Sequence, residues 1–271
     1  MRANVRRHTD EGSDEPGMHT ERVISVEHLT DSLFAFRTTR DSTFTFESGQ
    51  FTMIGQTVGA KKVLRAYSMV SPTWADYLEF LSIKVPDGEL TSRLQNIEPG
   101  DEIIVNKKST GSLLLDNLTD GRTLYLLATG TGIAPFLSIV QDPEVYDRYD
   151  HVVLVHGVRE ARELAYRQFL EEHLPNHEHL GDYAGEQLIY VPTVTREAFP
   201  RTKRVTTMIY DGELAETTGL PPLDRERDRV MICGNPDMVH ELRHHFLEQG
   251  WEMGTTHGKG EFVIENAFVE K

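Results

Sequence analysis

The hydrophobic period of this chain changes once, near residue 116, and no single kind of sheet accommodates both periods. Before that point apolar and β-branched residues come in short runs: RVISVEHL, LFAFRTT, FTFESGQFTMIG, LRAYSMVS, LEFLSIKV and DEIIVNKK. Turn residues separate them at Ser48-Gly49, Ser71-Pro72, Pro86-Asp87-Gly88 and Pro99-Gly100-Asp101. Six short strands at this spacing predict an antiparallel β-barrel or sandwich, with one helix over 90–96. Beyond residue 116, TLYLLAT, HVVLVHGV, EQLIYVPTVT and RVMICG are nearly continuous apolar runs. Helical patterns over 134–140, 163–173 and 238–249 follow three of them. Strands of that kind are buried on both faces, so this half is expected to be α/β, with a doubly wound parallel sheet. The first residues are polar, with little to bury, and predict a disordered tail. The expected organisation is a tail over 1–18, a β-barrel domain over 19–115 and an α/β domain over 116–271.

Charge and composition narrow the partners. The 271 residues carry 43 acidic and 28 basic side chains, a formal charge of −15. That balance argues against non-specific binding to nucleic acid or to an anionic membrane, which requires a cationic face. No run approaches the ~20 apolar residues of a membrane helix. Cys233 is the one cysteine, so a disulfide framework is impossible and a reducing, cytoplasmic setting fits best. The opening MRANVRRHTDEGSDEPG lacks the apolar stretch of a secretory signal. The histidines are scattered, and no Cys/His set has tetrahedral spacing, so no metal site is expected.

Five segments carry chemistry. In Arg65-Ala66-Tyr67-Ser68, strand alternation puts Arg65 and Tyr67 on one face and Ala66 and Ser68 on the other. A guanidinium suits a phosphate and a phenol ring suits a flat heterocycle; an ordinary edge strand with a snorkelling arginine gives the same pattern. The run Ile83-Lys84-Val85 enters a Pro/Gly turn and then Thr91-Ser92 at a helix start, where backbone N–H groups and two hydroxyls suit an anion. A capped helix after a turn is the plain alternative. Thr129-Gly130-Thr131-Gly132 follows an apolar strand and precedes a helix opened by Pro135, the context of a pyrophosphate-binding turn. The third glycine of the usual dinucleotide fingerprint is replaced by Pro135. Arg159 and Thr195-Arg196 fall just past strand carboxyl ends, with Arg204 nearby, where α/β sheets bind ligands. Taken singly, each of them reads rather as a solvated surface arginine. The last segment, Met231-Ile232-Cys233-Gly234-Asn235-Pro236, places a thiol at a strand end, with no acid–base pair around it.

Taken in order, these segments resemble the ferredoxin–NADP reductase family in its bacterial subclass. RAYSMVSP is similar to the family's flavin-binding signature, GTGIAPF to its nicotinamide pyrophosphate loop and MICGNPDM to its Cys-Gly motif. The ending ENAFVEK resembles the bacterial form, in which residues continue past the flavin-facing position. The likeness runs from about residue 20 to the end. It implies FAD and NADP(H) as cofactors and hydride transfer between them, with single electrons passed to or from ferredoxin or flavodoxin. On this resemblance Arg65 pairs with the FAD pyrophosphate, Tyr67 stacks on the isoalloxazine, and Ser68 bonds near flavin N5 beside Ala66. The backbone of Ile83, Lys84 and Val85 and the Gly88, Leu90, Thr91 and Ser92 turn hold the rest of FAD. Thr129, Gly130, Thr131 and Gly132 receive the NADP pyrophosphate. Arg159, Thr195, Arg196 and Arg204 take the 2′-phosphate end, with Asp228 at the same end. Ser68, Cys233 and Glu265 surround the transfer site, with Ala267 over the ring and Phe268 on the FAD adenine.

Two other readings share parts of this pattern. A stand-alone NAD(P)H flavin reductase, or the reductase component of an oxygenase system, also carries RxYS and GTGIAP; here no cysteine set exists for an iron–sulfur cluster. A non-enzymatic electron-transfer module is disfavoured because Arg65, Tyr67, Ser68, Gly130, Gly132 and Glu265 are all present. A monomer is expected. An acidic carrier meets an acidic chain, so a local basic patch must overcome the repulsion. Lys61-Lys62 and Lys107-Lys108 are the candidates, and lysines that merely blunt strand edges are the alternative.

Overall fold

Residues 17–266 are described in the computed structural model. Residues 1–16 of the expected tail lie outside them, and Met18 already belongs to the first strand. The barrel half is one antiparallel sheet of β1 (Met18–His28), β2 (Leu33–Thr39), β3 (Phe51–Val58), β4 (Lys61–Ser68), β5 (Tyr77–Ile83) and β6 (Glu102–Thr110). Its spatial order is β4-β3-β6-β1-β2-β5, with the short helix α1 (Thr91–Leu94) between β5 and β6. Phe34, Phe36, Phe80, Ile54 and Val105 fill its interior, and α1 closes one end with Leu90 and Leu94.

Of the expected strand FTFESGQFTMIG only the second part pairs, in β3, and its first four residues, FTFE, do not. Phe44 and Phe46 pack into the same core from an irregular loop. The Arg40 guanidinium explains this, donating to the Phe44 carbonyl (3.1 and 2.9 Å) and to the Thr73 and Ala75 carbonyls (2.7 Å each). A side chain thus meets backbone demand that a neighbouring strand would otherwise meet.

The sheet curls until its two edge strands, β4 and β5, face each other. Tyr67 of β4 shares a 2.9 Å hydrogen bond with Ser82 of β5 and meets Phe80 edge-on at 6.3 Å. The seam between these edges opens toward the second half of the molecule.

That half is a parallel sheet of β7 (Thr123–Thr129), β8 (His151–Val158), β9 (Leu188–Val194), β10 (Asp228–Gly234) and β11 (Phe262–Asn266), in the order β11-β10-β7-β8-β9. Alternation divides each strand between two cores. Leu124, Leu126 and Ala128 of β7 pack with residues of α2 (Ala134–Ile139), α3 (Pro143–Arg148) and α4 (Gly181–Gln187). Tyr125 and Leu127 pack on the other face with α5 (Val205–Tyr210), α6 (Glu213–Thr218) and α7 (Pro236–Glu248). The strand order reverses between β7 and β10, and the crevice at their carboxyl ends is where such sheets take ligands. Leu33, Ala35, Val70 and Leu81 of the barrel belong to the same apolar cluster as Phe136 and Leu137 of α2, so the two halves share a core. Truncating a buried side chain such as Phe136 to alanine there costs about 3–5 kcal/mol.

Two expectations change here. The helical run over 163–173 is broken. A 3₁₀ turn at Ala161–Glu163 is followed by Tyr166 in a left-handed conformation (φ 61°), and the helix resumes directly after it, turning π-helical over Phe169–His173. The fifth strand, β11, was not expected, because five residues after an irregular segment give little periodic signal.

Candidate active site

A cleft of about 740 Å³, open to solvent, lies where the seam of the barrel meets the crevice of the parallel sheet. Its barrel wall is the end of β4, from Arg65 to Ser68, with Phe51 of β3 opposite Ser68 in register, and Leu81 to Ile83 of β5. Its other wall is Thr131, Gly132 and Ala134 after β7, Cys233 of β10, and Glu265 and Asn266 of β11. Segments more than 150 residues apart in sequence thus converge because β10 sits between β7 and β11, with Cys233 paired to Ala128 on one side and to Glu265 on the other.

The barrel wall carries an anion site in use. Arg65 Nη2 lies 3.1 Å from Glu89 Oε2, and Lys61 Nζ lies 3.4 Å from Glu89 Oε1. Hydrogen bonds from Arg65 and Lys61 hold the exposed Glu89 carboxyl below its ordinary range. The carboxylate is a stand-in for an anion, held through Arg65 Nη2 while Nη1 donates to the Leu64 carbonyl at 2.9 Å, so the guanidinium meets an anion at the cleft through one charge-assisted bond. Thr91 lines the cleft too, but its hydroxyl donates to the Val85 carbonyl (3.2 Å) and the Ser92 N–H bonds the Gly88 carbonyl (3.2 Å). These groups, expected to be available to a ligand, are engaged within their own turn. Lys84 reaches away, donating to the Thr30 carbonyl at 2.9 Å.

On the opposite wall the turn after β7 brings backbone to the surface. Gly130 has φ +55°, and nothing lies within 4 Å of where a Cβ on it would stand, so a ligand can approach the chain closely. Gly132 is the reverse: a Cβ there would lie 2.5 Å from the Cys233 carbonyl oxygen and 2.6 Å from Gly234 Cα. The second glycine lets the turn pack on the end of β10. The Thr129 hydroxyl accepts from the Asn235 N–H at 2.8 Å, and the Gly130 carbonyl is 3.0 Å from Nε2 of His156. His156 is fully buried, and desolvation lowers its pKa to about 4, so the neutral ring donates through Nε2 to Gly130 at working pH.

Cys233 and Glu265 face the cleft from adjacent strands. Burial, and then the Glu265 charge, push the thiol far above its ordinary range, so it is no nucleophile. Burial also raises the Glu265 carboxyl, against the opposing effect of Ser112, whose backbone N–H donates to Glu265 Oε1 at 2.7 Å. The Ser112 hydroxyl bonds the Ile264 carbonyl at 2.7 Å and lies 3.2 Å from the same Oε1.

The arginines expected at a phosphate gather on one rim. The Arg196 N–H donates to the Arg159 carbonyl (2.9 Å) and the Thr195 N–H to the Val158 carbonyl (3.0 Å). Arg204 precedes Val205, whose methyl would meet a Cβ on Gly157 at 2.9 Å. All three guanidinium-bearing residues are exposed. Asp228 is a correction. It opens β10 opposite Thr123, at the amino edge of the sheet, six strand residues (roughly 20 Å) from the Gly130 turn. There it is buried, pairing with Arg227 (3.0 Å) and accepting from the Asp224 N–H (2.8 Å). Ala267 and Phe268 lie outside the described residues.

The two lysine pairs sit at different levels of the barrel. Lys61 is opposite Val58 at one end of the β3–β4 ladder. Thr52 lies opposite both Tyr67 and Ser109, so Lys107 and Lys108 are close to the level of Tyr67, at the cleft end. Phe51, Ser82, Glu89 and Ser112 were not singled out from the sequence. Phe51 meets Ser68 through strand pairing, Ser82 meets Tyr67 through closure of the barrel and Ser112 meets Glu265 through the tertiary fold, so none of them carries a sequence signal.

Comparison with known proteins agrees with this geometry. Residues 21–113 match the family described as "Oxidoreductase FAD-binding domain", and residues 126–244 match "Oxidoreductase NAD-binding domain". The chain is 50% identical over 255 residues to "Ferredoxin--NADP reductase" of Azotobacter vinelandii, covering 94% of this chain and 99% of the relative. It is 39% identical over 226 residues to "Flavodoxin/ferredoxin--NADP reductase" of Escherichia coli, covering 83% and 88%. Among solved structures, a ferredoxin NADP+ reductase from Neisseria gonorrhoeae with bound FAD and NADP superposes with a TM-score of 0.85 at 34% identity, covering 94% of this chain and 100% of that one. A seam-and-crevice cleft of this construction, and identity of this extent over nearly the whole length, place the chain in the ferredoxin–NADP reductase family.

Proposed function

We propose that this chain is an FAD-dependent oxidoreductase that moves a hydride between NADP(H) and FAD and exchanges single electrons with a ferredoxin or flavodoxin. The observation that carries the reading is the cleft itself, whose two walls come from an FAD-binding and an NAD-binding domain. The flavin, when bound, supplies the redox chemistry. The chain binds, aligns and keeps water out. Hydride transfer needs the donor and acceptor atoms within about 3–3.5 Å and needs no strong base, consistent with a site that holds no catalytic dyad.

Each residue then has a role. Arg65 exchanges its Glu89 partner for the FAD pyrophosphate, while Tyr67 and Ser68, with the backbone of Ala66, face the isoalloxazine. Ile83 to Val85 and the turn from Gly88 to Ser92 border the rest of FAD. Thr129 to Gly132 receive the nicotinamide pyrophosphate, and Arg159, Thr195, Arg196 and Arg204 the 2′-phosphate. Cys233 presents a small neutral wall to the nicotinamide. Glu265 holds or releases a proton at Oε2, since its Oε1 accepts from the Ser112 N–H. A carrier docks beside Lys107-Lys108, the pair level with Tyr67, and Lys61-Lys62 adds positive charge at the far end of β4. The single buried thiol suits a reducing cytoplasm, and the chain acts as a monomer. No helix among the described residues is long and apolar enough to cross a membrane.

The test is to purify the protein, release its flavin and assay transfer. One FAD per chain, with NADPH-driven reduction of a ferredoxin or flavodoxin, is the expected result. FMN, no flavin, or reduction of free flavin alone would favour the flavin-reductase alternative.

A further inference from the structure

Tyr166 is the one non-glycine residue with a left-handed φ among the described residues, at 61°. A residue with a Cβ adopts that conformation at a cost, and a large aromatic one seldom without compensation. The compensation is visible. The Tyr166 hydroxyl crosses from the α/β half to the barrel and donates to Glu79 Oε1 at 2.6 Å. Glu79 sits on β5, 7% exposed, and its other oxygen, Oε2, accepts from Arg37 Nε of β2 at 2.9 Å. Arg37 lies over the Tyr77 ring at 4.6 Å, which holds the guanidinium in place. Burial beside the Glu79 charge keeps the Tyr166 phenol protonated, and therefore a donor, far into the alkaline range.

The sequence pattern over 163–173 predicts a helix, but the helical stretch begins only after Tyr166, whose left-handed turn precedes it and whose ring reaches β5. The loop that Tyr166 ends begins at Arg159, directly after β8, so it belongs to the wall that faces the nicotinamide nucleotide. The same loop also touches the barrel through Arg162 and Asp31 at 3.3 Å, but both partners are exposed, and such pairs hold little. Ser138 to the Ser71 carbonyl (2.9 Å), Gln141 to the Val70 carbonyl (3.1 Å) and Ser48 to Asp142 (2.8 Å) tie the halves together around α2; on the β8 side Tyr166 packs with Phe169, Leu29 and Ile83 against the shared core and supplies the bond to the buried Glu79.

We propose that Tyr166, Glu79 and Arg37 form a strut that fixes the α/β half on the barrel, making Tyr166 a positioning residue for transfer between the two cofactors. This rests on the reading above that the barrel holds FAD and the α/β half holds NADP(H). Each cofactor then has its own domain, and their alignment is only as good as the docking of the domains. Transfer is steep in that alignment, since a displacement of about 1 Å costs about 100-fold.

The experiment compares wild type with Tyr166→Phe, which keeps the ring and removes only the hydroxyl. FAD content and NADP+ affinity by calorimetry report each site separately, amide hydrogen exchange reports the seam, and kcat and KM for NADPH report alignment. Expected are wild-type FAD content, NADP+ affinity and KM, faster exchange in β5 and in the segment around Tyr166, and a kcat lowered about five- to tenfold, a fraction of the full misalignment penalty. Wild-type kcat with unchanged exchange would overturn the strut. So would a loss confined to NADP+ affinity, which would make the contact a prop for the nucleotide loop alone. If Tyr166→Phe does not fold, Glu79→Gln, which still accepts from the hydroxyl, must retain several times the kcat of Glu79→Ala; equal values also overturn it. A wild-type protein that binds neither FAD nor NADP+ would instead remove the site reading, and the strut with it.

Discussion

The two glycines of the turn after β7 separate space from conformation, and substituting each to alanine should have different consequences. At Gly132 an added Cβ would stand 2.5 Å from the Cys233 carbonyl oxygen, 2.6 Å from its carbon and 2.6 Å from Gly234 Cα. All three are backbone atoms of a buried strand end, so no side chain can swing away. Either the turn or the end of β10 must shift by roughly an ångström, and overpacking of this kind costs about 1–3 kcal/mol. For a chain of this size each kcal/mol lowers the unfolding temperature by about 2–4 °C. The shift falls where Cys233 and the turn both line the cleft, so hydride transfer should fall by up to about 100-fold. At Gly130 an added Cβ meets nothing within 4 Å. The left-handed conformation alone is penalised, by about 1–2 kcal/mol, and the turn keeps its place. Thermal unfolding and single-turnover flavin reduction on Gly132→Ala and Gly130→Ala read both effects. A Gly130→Ala variant slower in transfer than Gly132→Ala would refute the reasoning, because it would mean that close packing on β10 does not position the turn.

Three further outcomes follow from the same geometry. Arg204→Ala should raise KM for NADPH about tenfold and leave NADH nearly unchanged, since a charge-assisted hydrogen bond is worth about 1.5–3 kcal/mol; equal effects on the two nucleotides would move the 2′-phosphate elsewhere. Glu265 has its carboxyl raised by burial, so its neutral form is favoured in the fold and it loses stability to the unfolded state as pH rises through the raised value. Glu265→Gln should therefore gain in unfolding temperature relative to wild type on going from pH near 4 to neutrality, and a difference that is flat with pH would contradict the burial argument. Reversing Lys107 and Lys108 to glutamate should slow reduction of an acidic carrier and weaken its salt dependence while sparing ferricyanide, and unchanged carrier kinetics would leave these lysines as ordinary surface.

The sequence makes the two sheets legible because their residues obey different periods, and all six barrel strands and four of the five parallel strands fall where those periods place them. It fails where side chains overrule local preference. FTFE has strand composition, yet side chains bond its carbonyls, Arg40 that of Phe44 and Ser109 that of Thr45, and it is a loop. The pattern over 163–173 is helical, yet the helix begins only after a left-handed turn at Tyr166, whose hydroxyl bonds Glu79. At the site, Arg65, Tyr67, Gly132 and Cys233 stand out from the residue pattern, the resemblance adds Ser68 and Glu265, and all line one cleft. What order could not give is depth along a strand. Asp228 was placed by its proximity to β10, but a parallel strand carries its ligand end at the carboxyl terminus, and Asp228 is at the other. Nor could sequence reveal Ser112 or Glu89, whose partners Glu265 and Arg65 are brought to them only by folding.

The central claim is that the cleft aligns a nicotinamide with a flavin for direct hydride transfer. Anaerobic mixing of the FAD-loaded protein with NADPH, and with NADPH deuterated at the transferred position, measures this step alone. The account predicts single-phase bleaching of the flavin band, slowed by deuterium, and at least about tenfold faster with NADPH than with NADH. Absence of bleaching, or bleaching indifferent to both deuterium and the 2′-phosphate, would contradict it.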